Sequence, residues 1–142
     1  MEFFMTTVIL LVITALLWGF TPILEKIGLG KTDPLTAISI RSFSTAIILV
    51  AFLLVTGKLK DVLSTDVKSV AIFTVSGLLA GLLGMWTYFG ALKIGATSRI
   101  VPIAATYPLV TAVLSVLILR EGVSIGRLIG TIFIIAGIWL VK

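Results

Sequence analysis

Five long apolar segments occupy most of the chain and limit what it can fold into. They lie at about 4–28, 34–56, 69–94, 97–119 and 124–141. Each has about 18–26 residues, and a helix needs about 20 to cross the hydrocarbon core of a bilayer. Because unsatisfied backbone N–H and C=O groups are costly in hydrocarbon, each segment is predicted to be a helix. The sequence therefore predicts an all-α integral membrane protein with a bundle of five transmembrane helices.

The composition supports this class and excludes several kinds of chemistry. The 142 residues are 59% hydrophobic and 12% charged, whereas soluble domains are about 45–50% apolar and about 25% charged. The chain has no His and no Cys, which excludes disulfides, thiolate chemistry and His-bearing metal sites. The net charge of +5 comes from Lys and Arg scattered between apolar segments, where they anchor helices. We expect no nucleic-acid partner, no metal and no cofactor.

The connections between the segments are short, so residues 1–142 are predicted to form one transmembrane domain. Only "GKLKDVLSTDVKS", between the second and third segments, is a loop of any size. In "GKTDP", Asp33 is the predicted N-cap of the second helix and Pro34 its first residue. The N-terminus lacks a basic region and a small-residue cleavage site, which favours a retained first helix over a cleaved signal peptide.

The distribution of Lys and Arg gives no clear orientation in the membrane. The side that holds the N-terminus carries five: Lys58, Lys60, Lys68, Arg120 and Arg127. The opposite side carries six: Lys26, Lys31, Arg41, Lys93, Arg99 and Lys142. Either one or two strong positions decide the orientation, or the same chain inserts both ways up. With five helices, two oppositely inserted copies form an inverted pair, which many transporters build from fused halves. The sequence shows no internal repeat, so the chain is predicted to be one such half.

A polar stripe follows one face of the first helix. Its members, spaced by seven, four, three and four residues, are Thr7, Thr14, Trp18, Thr21 and Glu25. Such a stripe on a spanning helix is expected to face protein or a water-filled cavity. In the alternative, Glu25 and Lys26 extend to the headgroup boundary and Trp18 is an ordinary packing residue.

Arg41 adds a charge within the second segment. A charged residue at the centre of a span costs roughly 2.5–3.5 kcal/mol, and less toward its ends. Glu25 and Arg41 enter from the same membrane side at similar depth. The two are predicted to be neighbours that lower each other's cost, unless each reaches the interface separately.

The remaining predictions concern the cavity wall, helix kinks and a subunit contact. The predicted cavity-lining residues, all with polar or amphipathic side chains, are Thr14, Trp18, Thr21, Glu25, Arg41, Tyr88, Tyr107 and Thr111. The prolines that interrupt backbone hydrogen bonding, as deformable points or static kinks, are Pro22, Pro102 and Pro108. A flat strip on the last helix, suited to a dimer or to packing within one chain, consists of Gly126, Gly130 and Gly137.

Several stretches resemble one known family. "LLWGFTPILEK" is similar to the first-helix signature of the drug/metabolite transporter superfamily, and the arginine in "AISIRSFSTAIIL" fits its second helix. "YFGALKIGATSRIVPIAATYPLVTAVLSVLILREGVS" is similar to the third and fourth helices, and "GRLIGTIFIIAGIWLV" to the closing helix. The chain thus resembles a single EamA-type domain. Members commonly have ten helices in two inverted five-helix halves, and this chain has one half.

The resemblance implies secondary transport or export of metabolites or drugs through the plasma membrane, by alternating access in an antiparallel dimer. The implied partners are a small-molecule substrate, the bilayer and a second half, either another copy or a homologue. A lipid-linked sugar flippase subunit that needs a partner half is the alternative. In related four-helix transporters a first-helix glutamate couples protons, whereas Glu25 lies nearer the helix end. An enzyme is not expected, because the spans hold no paired carboxylates and no phosphate loop.

Overall fold

The protein is helical throughout the regular elements that can be described. The computed structural model describes residues 2–122 and 124–141, with side chains for residues 4–122, 124–126 and 129–140. The helices, in chain order, are α1 Glu2–Gly28, α2 Pro34–Val55, α3 Leu59–Leu63, α4 Val67–Ser76, a π-helical segment Gly77–Gly84, α5 Met85–Ile94, α6 Thr97–Ala104, α7 Tyr107–Leu119 and α8 Ile125–Val141. The side chain of Arg127 and the whole of Lys142, both used in the charge count, lie outside the described residues.

Four helical stretches are long and apolar enough to cross a membrane. They are Phe4–Gly28, Pro34–Val55, Val67–Ile94 and Thr97–Leu119. The fifth segment forms α8, and its apolar part Ile129–Leu140 is shorter than these four. The all-helical, multi-pass architecture is therefore confirmed, and a fifth crossing stays a prediction.

The turn between α1 and α2 has the predicted N-cap. Asp33 Oδ1 accepts a hydrogen bond from the Thr36 backbone N–H at 3.0 Å, and Pro34 lies in the first turn of α2. Hydrogen bonding by Thr36, through its side chain first and its backbone second, holds the pKa of Asp33 below its usual range. The cap ends the turn sharply, because it satisfies a backbone donor that the first helical turn leaves free.

The loop between α2 and the third span contains a short helix that the sequence did not predict. This helix, α3, occupies Leu59–Leu63. Asp66 then caps α4, since its carboxylate accepts the Ser69 N–H at 2.9 Å. The loop is thus a turn of helix between two capped spans rather than an extended connection.

The third span is not a uniform α-helix. A π-helical segment, Gly77–Gly84, separates α4 from α5, and such wide turns are rare and short in most proteins. At Gly84 an added Cβ would lie 3.0 Å from the Leu79 carbonyl oxygen. The close approach of this carbonyl explains why the wide turn has glycine at that position.

The helices group into two compact units, one ending at Lys93 and the other beginning at Ile94. In the second unit, α6 packs against α8.

The predicted fourth helix is divided, because α6 ends at Ala104 and α7 begins at Tyr107. Pro108 has no N–H to donate to the Ala104 carbonyl and its ring crowds that group, which favours a break there. Pro102 lies within α6, and Pro22 lies within an uninterrupted α1.

The C-terminal end of α7 is closed by a tight cap. Arg120 adopts the left-handed conformation with φ 54°. The Glu121 N–H then donates to the Ser115 carbonyl, six residues back, at 3.3 Å. A left-handed residue is common at the C-terminal end of a helix, and here the Ser115 carbonyl accepts from the N–H groups of both Arg120 and Glu121.

The core of the first unit lies at one end of its helices. The buried aliphatic and aromatic side chains among the described residues are Leu29, Ile38, Phe89 and Leu92, each no more than 2% exposed. They come from the turn after α1, the first turns of α2 and the last turns of α5. Most other large apolar side chains of the spans are exposed, as expected for surfaces that meet lipid.

Two lysines hold this end together through backbone carbonyls. Lys26 of α1 donates from Nζ to the carbonyl oxygens of Leu92 at 2.6 Å and Lys93 at 3.1 Å, in the last turn of α5. Lys93 in turn donates from Nζ to the Thr32 carbonyl, in the turn after α1, at 3.0 Å. The final carbonyls of a helix have no partner within it, and a cation is favoured there by the helix dipole. We call these three bonds the lysine ties.

Replacing Lys26 with Met tests the lysine ties, since Met keeps an apolar stem and removes the ammonium. We expect Lys26→Met to lower the free energy of unfolding in detergent by about 1–3 kcal/mol, the usual cost of losing hydrogen bonds to a charged group. The measurement is thermal or denaturant unfolding followed by circular dichroism. Lys31→Met, at an exposed position in the turn after α1, is the control. Equal stability of the two variants would contradict the assignment.

Candidate functional site

A cavity of about 330 Å³ opens beside the lysine ties in the first unit. Its walls come from the C-terminal half of α1, the following turn, the first turns of α2 and one residue of α5. The lining residues are Thr21, Leu24, Glu25, Gly28, Leu29, Thr32, Ala37, Ile40, Arg41 and Phe89. The volume is near the lower limit for small-molecule pockets, about 300–1,000 Å³.

Glu25 and Arg41 bring opposite charges to this cavity. Glu25 is half-buried and Arg41 is exposed within the unit, and the two interact electrostatically. Among the described residues, however, no ion pair within 4.0 Å joins them. The two residues predicted to be neighbours therefore line the same cavity, but their charged groups do not form an ion pair.

The cavity extends from the helix ends into the apolar layer. Glu25 is three residues from the end of α1 and Arg41 is seven residues into α2. At a rise of about 1.5 Å per residue, these offsets are roughly 4 and 10 Å along the helices. In a bilayer whose headgroup boundary lies at the helix ends, the two charges would lie between that boundary and the outer hydrocarbon. A cavity at this depth suits a solute or headgroup with polar and apolar parts.

The lysine ties fix one wall of the cavity. Thr32 lines the cavity and its carbonyl accepts the bond from Lys93. Thr21, deeper along α1, donates its hydroxyl to the Leu17 carbonyl at 2.8 Å. The Thr21 oxygen keeps acceptor capacity after this bond, so it remains available to a ligand.

The floor of the cavity is apolar. Phe89 and Leu29 line it and are 2% and 1% exposed. The adjacent Tyr88 ring lies 6.1 Å from that of Phe89 at 47°, and Tyr88 interacts electrostatically with Glu25. Sequence reasoning missed Phe89 and Leu29, because one more apolar residue in a membrane helix gives no pattern to detect.

Only three of the eight predicted cavity residues line this cavity, namely Thr21, Glu25 and Arg41. Thr14 bonds the Leu10 carbonyl of its own helix at 2.8 Å, and Trp18 is 64% exposed. Tyr88 is beside the floor rather than on it. Of the α1 stripe, therefore, only the part toward the C-terminal end of the helix lines the cavity.

The other predicted positions lie in the second unit. Tyr107 is 56% exposed, and the Thr111 hydroxyl donates to its carbonyl at 3.2 Å. Around Gly126, Gly130 and Gly137, a Cβ would meet no described atom within 4 Å. The strip on α8 is therefore open, as a helix contact surface requires. No group of three or more acidic, His or Cys side chains suited to a metal occurs in the described part of the chain.

A family model and one curated relative point to a transporter family. Residues 5–142 match the model of the EamA-like transporter family. An uncharacterized protein of Methanocaldococcus jannaschii is 28% identical over 137 residues, covering 96% of each chain. A Sinorhizobium sp. protein, described as an uncharacterized transporter in the cobO 3′ region, is 27% identical over 120 residues, covering 84% of each. No solved structure matches significantly.

Cysteine labelling tests whether water reaches the cavity, and the chain has no native Cys to interfere. Ile40 lines the cavity, whereas Ser42 is two residues further along α2 and projects from the opposite face. We expect Ile40→Cys to react with the membrane-impermeant sulfonatoethyl methanethiosulfonate at least about tenfold faster than Ser42→Cys. An apolar setting suppresses the reactive thiolate, and one pKa unit changes its amount tenfold. Equal rates would mean that the cavity is not hydrated.

Proposed function

Because the chain belongs to the EamA-like transporter family, we propose that it exports small metabolites or drugs as a secondary transporter. The observation that carries this proposal is a cavity lined by two opposite charges, Glu25 and Arg41, which form no ion pair within 4.0 Å among the described residues. Charges are costly at such depth and are retained mainly where they serve a ligand or ion path. The members of this family are transporters, so we propose no enzymatic role.

The proposed transporter is an inverted pair of five-helix chains. Each chain is one transmembrane domain in which α8 makes the fifth crossing, since its 17 residues extend about 25 Å. An odd number of crossings and the near-equal positive charge on the two sides support dual insertion in the plasma membrane. Alternating access then follows from rocking of the two halves about the paired cavities.

The proposed partner is a second copy of the chain, or a homologous half. Gly126, Gly130 and Gly137 of α8 form the proposed contact, since small residues permit close approach of helices in lipid. The open space around these glycines supports this assignment. A flippase subunit for lipid-linked sugars is the alternative, because the cavity reaches the depth of lipid headgroups.

Transport in proteoliposomes tests the function and the role of the two charges. We expect the wild type to move ethidium or radiolabelled leucine faster than protein-free vesicles do. Glu25→Gln and Arg41→Gln should each lower the rate about tenfold or more, since hydrogen bonds to charged groups contribute about 1.5–3 kcal/mol. Thr74→Val and Lys68→Gln, whose positions lie outside the cavity, are the controls and should keep the wild-type rate.

Two outcomes would contradict the proposal. Rates that survive in the Glu25→Gln, Arg41→Gln double variant would remove the cavity from the transport path. No transport of either compound, combined with transfer of a fluorescent lipid between leaflets, would favour the flippase subunit.

A further inference from the structure

The charges of the cavity are the starting point for naming its ligand. Among the described residues, the Glu25 carboxylate and the Arg41 guanidinium have no ion-pair partner within 4.0 Å, and no side-chain hydrogen bond involves either group. Lys26, next to Glu25, is directed instead to the carbonyls of Leu92 and Lys93. The ammonium of this sequence neighbour is thus engaged with the end of α5, and both charges remain available to a molecule in the cavity.

We infer that the cavity binds a small zwitterion, with its cationic group at Glu25 and its anionic group at Arg41. A ligand with a single charge satisfies one of these residues and leaves the other without a partner near hydrocarbon, which is costly. A neutral ligand leaves both without partners. A zwitterion neutralises both charges at once, and Arg is suited to a bidentate contact with a carboxylate or phosphate.

The size and lining of the cavity restrict the ligand further. A volume of about 330 Å³ admits a small molecule or a single headgroup. The apolar floor of Leu29 and Phe89 is buried and lies in the same cavity as the charges. The ligand therefore joins a zwitterionic end to an apolar part. Both a soluble amphipathic zwitterion and a zwitterionic lipid headgroup have this chemistry.

This inference rests on the proposed function, since it names the substrate class of the same cavity, and binding to the full chain in an uncharged detergent tests it. The zwitterionic probes are leucine, glycerophosphoethanolamine and dihexanoylphosphatidylethanolamine. The single-charge probes are ethanolamine and dimethyl phosphate. We expect at least one zwitterion to bind the wild type about tenfold or more tightly than either single-charge probe, because it gains a second charge-assisted contact.

Substitutions assign the two ends of the ligand. Glu25→Gln should weaken binding of the zwitterion about ten- to a hundredfold and leave binding of dimethyl phosphate unchanged. Arg41→Gln should weaken binding of the zwitterion by a similar factor and leave binding of ethanolamine unchanged. Lys68→Gln, which lies outside the cavity, is the control and should bind like the wild type. Preference for the short-chain lipid over both soluble zwitterions identifies a headgroup, and the reverse preference identifies a soluble ligand.

Three results would overturn the inference, and the first two need no variant. They are equal binding of zwitterions and single-charge probes, binding of no zwitterion to folded wild-type protein, and unchanged zwitterion affinity in both variants. The transport assay keeps the two proposals apart. A chain that transports ethidium but binds no zwitterion retains the transporter function and loses this inference. A chain that binds a zwitterion but transports nothing retains this inference and loses the transporter function.

Discussion

The lysine ties are the interactions on which the first unit depends. Most large apolar side chains of its spans are exposed, and the buried aliphatic and aromatic side chains lie at one end of the helices. There Lys26 joins α1 to the last turn of α5, and Lys93 joins α5 to the turn after α1. These bonds satisfy carbonyls that a helix end leaves free, and a charged donor makes them stronger than neutral hydrogen bonds. They also hold Thr32, and with it one wall of the cavity, in place.

The cavity lies beside the lysine ties and explains why the spans contain the charged residues Glu25 and Arg41. With Lys26 committed to α5, Glu25 is left without that neighbour, and Arg41 faces the same space from α2. A protein with only a structural role in the membrane gains nothing from two opposite charges near hydrocarbon that close no ion pair in the described part of the chain. A transporter half gains a site that attracts a charged ligand and an open face for its partner.

Sequence reasoning placed the helices well and named some of the residues that line the cavity, for identifiable reasons. Hydropathy fixed α1 and α2 to within a few residues, because length and apolarity are what the bilayer demands. It missed the π-helical segment, since wide and normal turns have the same composition. Helical spacing predicted Thr21 and Glu25, which line the cavity, but the same stripe also contains Thr14 and Trp18, which do not. Which part of the stripe lines the cavity depends on the lysine ties, and these join residues 61, 66 and 67 positions apart.

The central claim is that this chain is one half of an inverted pair. The most direct measurement fuses topology reporters, one active outside and one inside the cell, separately to residue 1 and to residue 142, in cells that express this chain alone. Dual insertion predicts that each terminus is found on both sides of the membrane, because the positive charge of the two sides nearly balances. A single orientation for every molecule would contradict the account, since the chain then cannot supply its own inverted partner.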